Sequence, residues 1–90
     1  MATVRIPTPL RNICGGASEV AVDGSTVEEV LKNLEAAHPG MGERLFDDSG
    51  ALRRFVNIYV GEEDVRFADG IATAVDDRDV VSIVPAVAGG

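Results

Sequence analysis

Cysteine, histidine and tryptophan are nearly or wholly missing from this sequence. It has one cysteine, Cys14, one histidine, His38, and no tryptophan in 90 residues. A single cysteine excludes a disulfide framework within the chain. No Cys/His cluster exists to hold a structural or catalytic metal. A catalytic triad would have to use His38, which stands in His38-Pro39-Gly40, where the end of a helix is the simpler explanation. Cys14 has no activating base near it in sequence, so an inert loop or half-buried thiol is expected, with a nucleophile or sulfur relay as the alternative. With neither a nucleophile–base pair nor a metal site, an enzyme in its own right is the least favoured class. Long apolar runs are missing too. None approaches the ~20 residues that a membrane helix needs. The start, Met1-Ala2-Thr3-Val4-Arg5-Ile6-Pro7, lacks the apolar core of a signal peptide. A cytoplasmic protein without membrane contact is therefore expected. Basic residues are few: 8 Lys and Arg face 15 Asp and Glu, for a net charge of −7. That balance disfavours nucleic acid and favours partners with basic patches.

Aliphatic residues, in contrast, are plentiful. Apolar residues make up 46% of the chain, enough for one core in one domain. No internal repeat or linker interrupts it. Thr3-Val4-Arg5-Ile6-Pro7 alternates as a strand does, with Val4 and Ile6 inward. Leu10 to Ser18 reads as a loop. Glu19-Val20-Ala21-Val22 reads as a second strand, making a hairpin with the first. Phe55-Val56-Asn57-Ile58-Tyr59-Val60 is the strongest strand, with Val56, Ile58 and Val60 on one face and Phe55 and Tyr59 on the other. Val65-Arg66-Phe67 reads as a short edge strand, and Ile71 to Val75 is open between a helical turn and a strand. Val80-Val81-Ser82-Ile83-Val84 is nearly all apolar, as a central buried strand is.

Between the second and third strands lies one clear helix. Val27, Val30, Leu31, Leu34 and Ala37 share a helical face, while Glu28, Glu29, Lys32, Asn33 and Glu35 fall mostly on the other. Ser25 with Glu28, or Thr26 with Glu29, fits a capping box at its start. A further short turn of helix is expected over Met41 to Phe46. Two strands, a crossover helix and a returning sheet describe an α+β roll. The ubiquitin-like β-grasp fits this order best: a mixed sheet of four to five strands with one main helix packed on one face.

The last residues read differently from the rest. Pro85 cannot donate to a strand ladder, so the sheet should end there. Ala86-Val87-Ala88-Gly89-Gly90 then offers small side chains and, at the last two positions, none. Residues 1–85 are thus expected to form the domain and 86–90 a flexible tail. Such a tail packs poorly but threads well through a narrow channel. The ionised carboxylate of Gly90 could be presented to an ATP α-phosphate, and adenylation would make it electrophilic. A frayed terminus is the competing explanation, since Gly-Gly alone is weak evidence and Gly15-Gly16 is simply loop.

The segment from Asp79 to Gly90, Asp-Val-Val-Ser-Ile-Val-Pro-Ala-Val-Ala-Gly-Gly, resembles the ending of the MoaD/ThiS ubiquitin-like sulfur-carrier superfamily. Arg54-Phe55-Val56-Asn57-Ile58-Tyr59-Val60 with Glu63-Asp64-Val65-Arg66-Phe67 is similar to the CysO-like carriers of cysteine biosynthesis. Arg78 stands where the family often has Gly in its last turn. The resemblance implies a carrier rather than an enzyme, with no bound cofactor. Gly90 would carry the adenylate and then the thiocarboxylate, and Pro85, Ala86, Val87, Ala88 and Gly89 would thread into the partner. Phe55 and Tyr59 are the candidate apolar contacts beside the tail. Three partners are implied: an ATP-using adenylating and sulfurating enzyme, a pyridoxal-phosphate cysteine synthase, and a metalloprotease that releases cysteine from the adduct. Sulfur delivery to molybdopterin, thiazole or a secondary metabolite stays open, as does isopeptide attachment to lysines and a plain interaction module with an inert tail.

Overall fold

Alternation at the start of the chain does make a strand, β1 (Ala2–Arg5), which pairs antiparallel with β2 (Glu19–Val22). The computed structural model describes residues 1–54 and 56–85. The other regular elements are α1 (Val27–Ala37), α2 (Met41–Leu45), β3 (Val56–Val60), β4 (Glu63–Asp64) and β5 (Val80–Pro85). The strands form one sheet in the order β2-β1-β5-β3-β4. β5 lies in the middle, parallel to β1 and antiparallel to β3. Val4 is opposite Val81, and Ile58 is opposite Ile83. These four are buried, as a strand covered on its inner face requires. The result is an α+β mixed sheet with one main helix across it, the β-grasp arrangement expected.

α1 covers the inner face with Val27, Val30, Leu31 and Leu34, each with no exposed surface. Of the two possible caps, the chain uses Thr26: its Oγ1 accepts from the Glu29 N–H at 3.2 Å. Glu29 reaches back one residue further than a standard box, accepting from the N–H and the hydroxyl of Ser25 at 3.1 and 3.0 Å. These bonds, the Ser25 N–H foremost, hold its carboxyl below the usual range. Before the cap, Gly24 sits at φ +150°, and a Cβ there would lie 2.7 Å from the backbone N and a methyl of Val30. The turn must be glycine because it lies against α1.

Three local expectations are corrected. Leu10 to Ser18 is not all loop: Thr8–Cys14 is a 3₁₀ helix with a proline in its first turn, which suits a helix start. Spacing of four residues brings Leu10 and Cys14 into the core together, and Gly15 ends the helix at φ 65°. Val65-Arg66-Phe67 is not the edge strand. Glu63–Asp64 pairs with Tyr59 and Val60 instead, and Val65–Phe67 is a 3₁₀ turn. Asp64 explains this, because its Oδ1 accepts from the Arg66 N–H at 2.9 Å and so competes with strand pairing. Ala37 is exposed, since α1 runs past the core after Leu34. Ile71 to Val75 resolves into a 3₁₀ turn at Gly70–Ala72, followed by a bridge from Ala74 to Thr26.

Among the described residues no helix is long and apolar enough to cross a membrane. Leu31 is fully buried in the core, so Leu31→Ala should cost about 2–5 kcal/mol in urea unfolding, a core truncation that leaves a cavity. A loss of only a few tenths of a kcal/mol would mean that α1 does not bear on the sheet as described.

Candidate functional site

β5 carries the chain to Pro85, and Pro85 lies in register with Val56 at the start of β3. The root of the candidate tail is thus the end of the central strand, where the pairing with β1 has stopped at Ser82 and β3 alone is in register. Arg66 braces this corner. Its Nη2 donates to the carbonyls of Arg54 and Val56, each at 2.9 Å. Phe55, Ala86, Val87, Ala88, Gly89 and Gly90, all named from the sequence, lie outside the described residues.

Tyr59 falls where alternation places it, on the outer face opposite the core side of β3, and is half-buried. Strand register aligns Glu19, Arg5, Ser82, Tyr59 and Asp64 in one row across all five strands. Arg5 Nε is 3.4 Å from a Glu19 carboxylate oxygen, but both side chains are exposed, so this pair contributes little. Val84 is 41% exposed on the same face, opposite Asn57. The outer sheet face beside the tail root therefore offers a tyrosine and a valine among small and polar groups. Phe67, at 87% exposure beside Tyr59, adds an apolar group that reading Val65-Arg66-Phe67 as a strand concealed. The Asx-type cap at Asp64 was the signal that could have revealed the turn.

A second concavity lies on the other side, between α1 and the segment after it. It has a volume of about 640 Å³, a floor of Leu31 and Phe46 and a rim including Glu28, Glu43, Asp48 and Arg53. Glu35, also lining it, is already engaged, accepting from the backbone N–H groups of Gly40 and Gly42. Nothing in that lining pairs a nucleophile with a base. Among the described residues no group of three or more His, Cys, Asp and Glu could hold a metal ion. His38 ends α1, its N–H donating to the Leu34 carbonyl at 2.8 Å. Cys14 is buried in the core, and burial pushes its thiol up from the ordinary value. A raised thiol pKa leaves less thiolate at neutral pH, the reverse of what a nucleophile needs.

What decides the matter is similarity along the whole chain: the model of the ThiS family matches residues 4–90. The protein belongs to the ThiS family. The sulfur carrier protein CysO of Mycobacterium tuberculosis is 56% identical over 90 residues, covering 98% of this chain and 97% of the relative. The crystal structure of that CysO matches with a TM-score of 0.92 and 53% identity, covering 97% of this chain and all of the other. A chain of the Amycolatopsis orientalis BexX/CysO complex matches with a TM-score of 0.93 and 46% identity over the full length of both. Small archaeal modifier protein 3 of Haloferax volcanii is 46% identical over 68 residues, 76% of this chain and 73% of the relative. This ThiS-family protein thus shares both sequence and ubiquitin-like fold with sulfur carriers.

The buried, disfavoured thiolate of Cys14 should react slowly with a water-soluble aromatic disulfide at pH 7 in the folded protein, and at once in denaturant. Rapid native labelling, followed by absorbance, would return Cys14 to the list of candidate nucleophiles.

Proposed function

We propose that this ThiS-family protein is a sulfur carrier, a protein co-substrate whose reacting group is the carboxyl of Gly90, and that it feeds cysteine synthesis. The observation that carries this reading is the family match, which runs through residue 90, together with 56% identity to a CysO carrier along nearly the whole chain. The fold's part is support: β5 brings Pro85 to the sheet's end, five residues before Gly90.

The chemistry is that of an activated acid. A terminal carboxylate with a pKa of about 3.3–3.7 is ionised and a poor electrophile at pH 7. Its oxygen attacks the α-phosphorus of ATP on the adenylating partner, and pyrophosphate leaves. A sulfide sulfur then attacks the acyl carbon, and AMP leaves; a persulfide sulfur would give an acyl disulfide, which a thiol reductant must then cleave. The product is a thiocarboxylate on Gly90, a soft nucleophile. In the cysteine reading a pyridoxal-phosphate cysteine synthase joins the thiocarboxylate sulfur to the side-chain carbon of O-phosphoserine, inorganic phosphate leaves, and a metalloprotease hydrolyses the carrier–cysteine adduct, which frees cysteine and restores the Gly90 carboxylate. Pro85, Ala86, Val87, Ala88 and Gly89 thread the partner's channel, and Phe55 and Tyr59 meet its rim. Similarity to a small archaeal modifier protein favours one second reading, attachment of Gly90 to lysines of other proteins. Lysine conjugates, in place of sulfide-dependent product, would select it.

The reading makes the position of the last carboxylate decisive. Deleting Gly90 withdraws it by up to about 3.3–3.6 Å, and a misplacement of about 1 Å can cost on the order of a hundredfold in rate. ATP- and sulfide-dependent thiocarboxylate formation, read by intact mass with the cognate adenylating enzyme, should fall to background. One alanine appended after Gly90 should block it as well, and Gly89→Val should weaken it by adding bulk and stiffness. Conversion of the shortened chain at the wild-type rate would defeat the carrier reading in this form.

The outer sheet face is also placed at risk. Tyr59→Ala should weaken activation, while reversing charge at Glu28 and Glu29 on α1 should leave it intact. The opposite pattern in the same mass assay would put the partner on the helix face.

A further inference from the structure

Three large apolar side chains are exposed among the described residues: Met1 at 62%, Val84 at 41% and Phe67 at 87%. Phe67 stands apart, an aromatic ring almost wholly in water. A loose loop does not account for it. Val65, two residues before, is fully buried in the core. The Arg66 N–H donates to Asp64 Oδ1 at 2.9 Å, and the Ala68 N–H donates to the Val65 carbonyl at 3.0 Å. The Arg66 guanidinium is tied to the carbonyls of Arg54 and Val56. The backbone on both sides of Phe67 is thus held, and the ring is presented on a fixed turn. Rigid, exposed aromatics of this kind are the groups that dominate interface energies.

The ring does not stand alone. It borders a shallow depression with Tyr59 and Val60, walled by Glu62, Glu63 and Asp64. From Tyr59 the outer face continues across Ser82 on β5, and Val84, two residues along β5, leads to Pro85. Phe67, Tyr59 and Val84 are therefore apolar positions spaced, across Ser82, from the edge of the sheet toward the root of the tail. We propose that Phe67 is an anchor which inserts into an apolar pocket, rimmed by Lys or Arg, on the adenylating enzyme, and so sets the carrier's orientation while the tail enters. This deepens the carrier reading above and rests on it. The three carboxylates beside the ring select a basic rim by charge. They also argue against a second copy as the occupant: two chains of net charge −7 meeting at Phe67 would oppose these carboxylates directly. The two-residue edge strand β4 offers little backbone for pairing between copies.

The test is steady-state pyrophosphate release and thiocarboxylate formation with the cognate adenylating enzyme. Wild type, Phe67→Ala, Phe67→Leu and the double variant Glu62→Lys/Glu63→Lys are compared. Phe67→Ala should raise the KM for the carrier roughly tenfold or more, with kcat nearly unchanged. Phe67→Leu should recover part of the loss. The double charge reversal should raise KM at low salt and flatten its dependence on ionic strength. Because the ring is exposed, thermal unfolding should not move, which separates anchoring from folding. An unchanged KM in Phe67→Ala, while wild type is converted, would overturn the proposal and leave the carrier reading standing. So would concentration-dependent dimers in analytical ultracentrifugation that vanish in Phe67→Ala without a change in KM. Failure of wild type itself to be converted would instead bring down the carrier reading.

Discussion

The parallel pairing of β1 with β5 is the contact on which the rest depends. It joins residues 3–5 to residues 80–82, so nearly the whole chain lies between the two partners. Closing so long a loop costs entropy before it returns anything. The return comes from Val4 against Val81, and from Ile83 against Ile58 on β3, all sealed beneath α1. β5 is flanked on both sides over residues 80–82, and its last residues, to Pro85, continue from there along β3 alone. A carrier whose chemistry occurs a few residues beyond that point has a rigid body to be gripped by.

The proposed function asks little chemistry of the molecule itself. A chain of 90 residues has one core and little left over. Its lone thiol is buried and its lone histidine ends a helix. No side chain described here is arranged to activate anything. In the proposed function activation belongs to the partner, and this protein contributes an orientation and a reachable end. The acidic charge fits that role: it is spread over α1, the turns and the sheet edge, where it biases encounter toward basic surfaces without building a site.

Large parts of this were legible in the sequence. Val27, Val30, Leu31 and Leu34 gave α1 its buried face through spacing alone, and Val56, Ile58 and Val60 gave β3 its orientation, because periods of 3.6 and 2 translate directly into faces. The apolar run of Val80 to Val84 marked a central buried strand; β5 is central, but only its inner face is buried, and Val84 is 41% exposed. Harder to read were the places where a side chain competes with the backbone. Asp64 capping Arg66 turned an expected strand into a 3₁₀ turn and exposed Phe67. Thr8–Cys14 became helical because Leu10 and Cys14 could both reach the core, a reward that exists only once the core exists.

Composition and periodicity by themselves determined the class, the element order, the helix face and the acidic surface, and resemblance in the last residues pointed to Gly90. These are local quantities, and each follows from residue types at fixed spacing. Tertiary structure decided that β5 runs parallel to β1, which hydroxyl caps α1, and that Arg66 would bridge Arg54 and Val56 beside the root of the tail. It also placed Phe67, Tyr59 and Val84 along one route across the outer face. Those outcomes depend on strand register, and register is fixed only when residues far apart in the chain bury their apolar faces together.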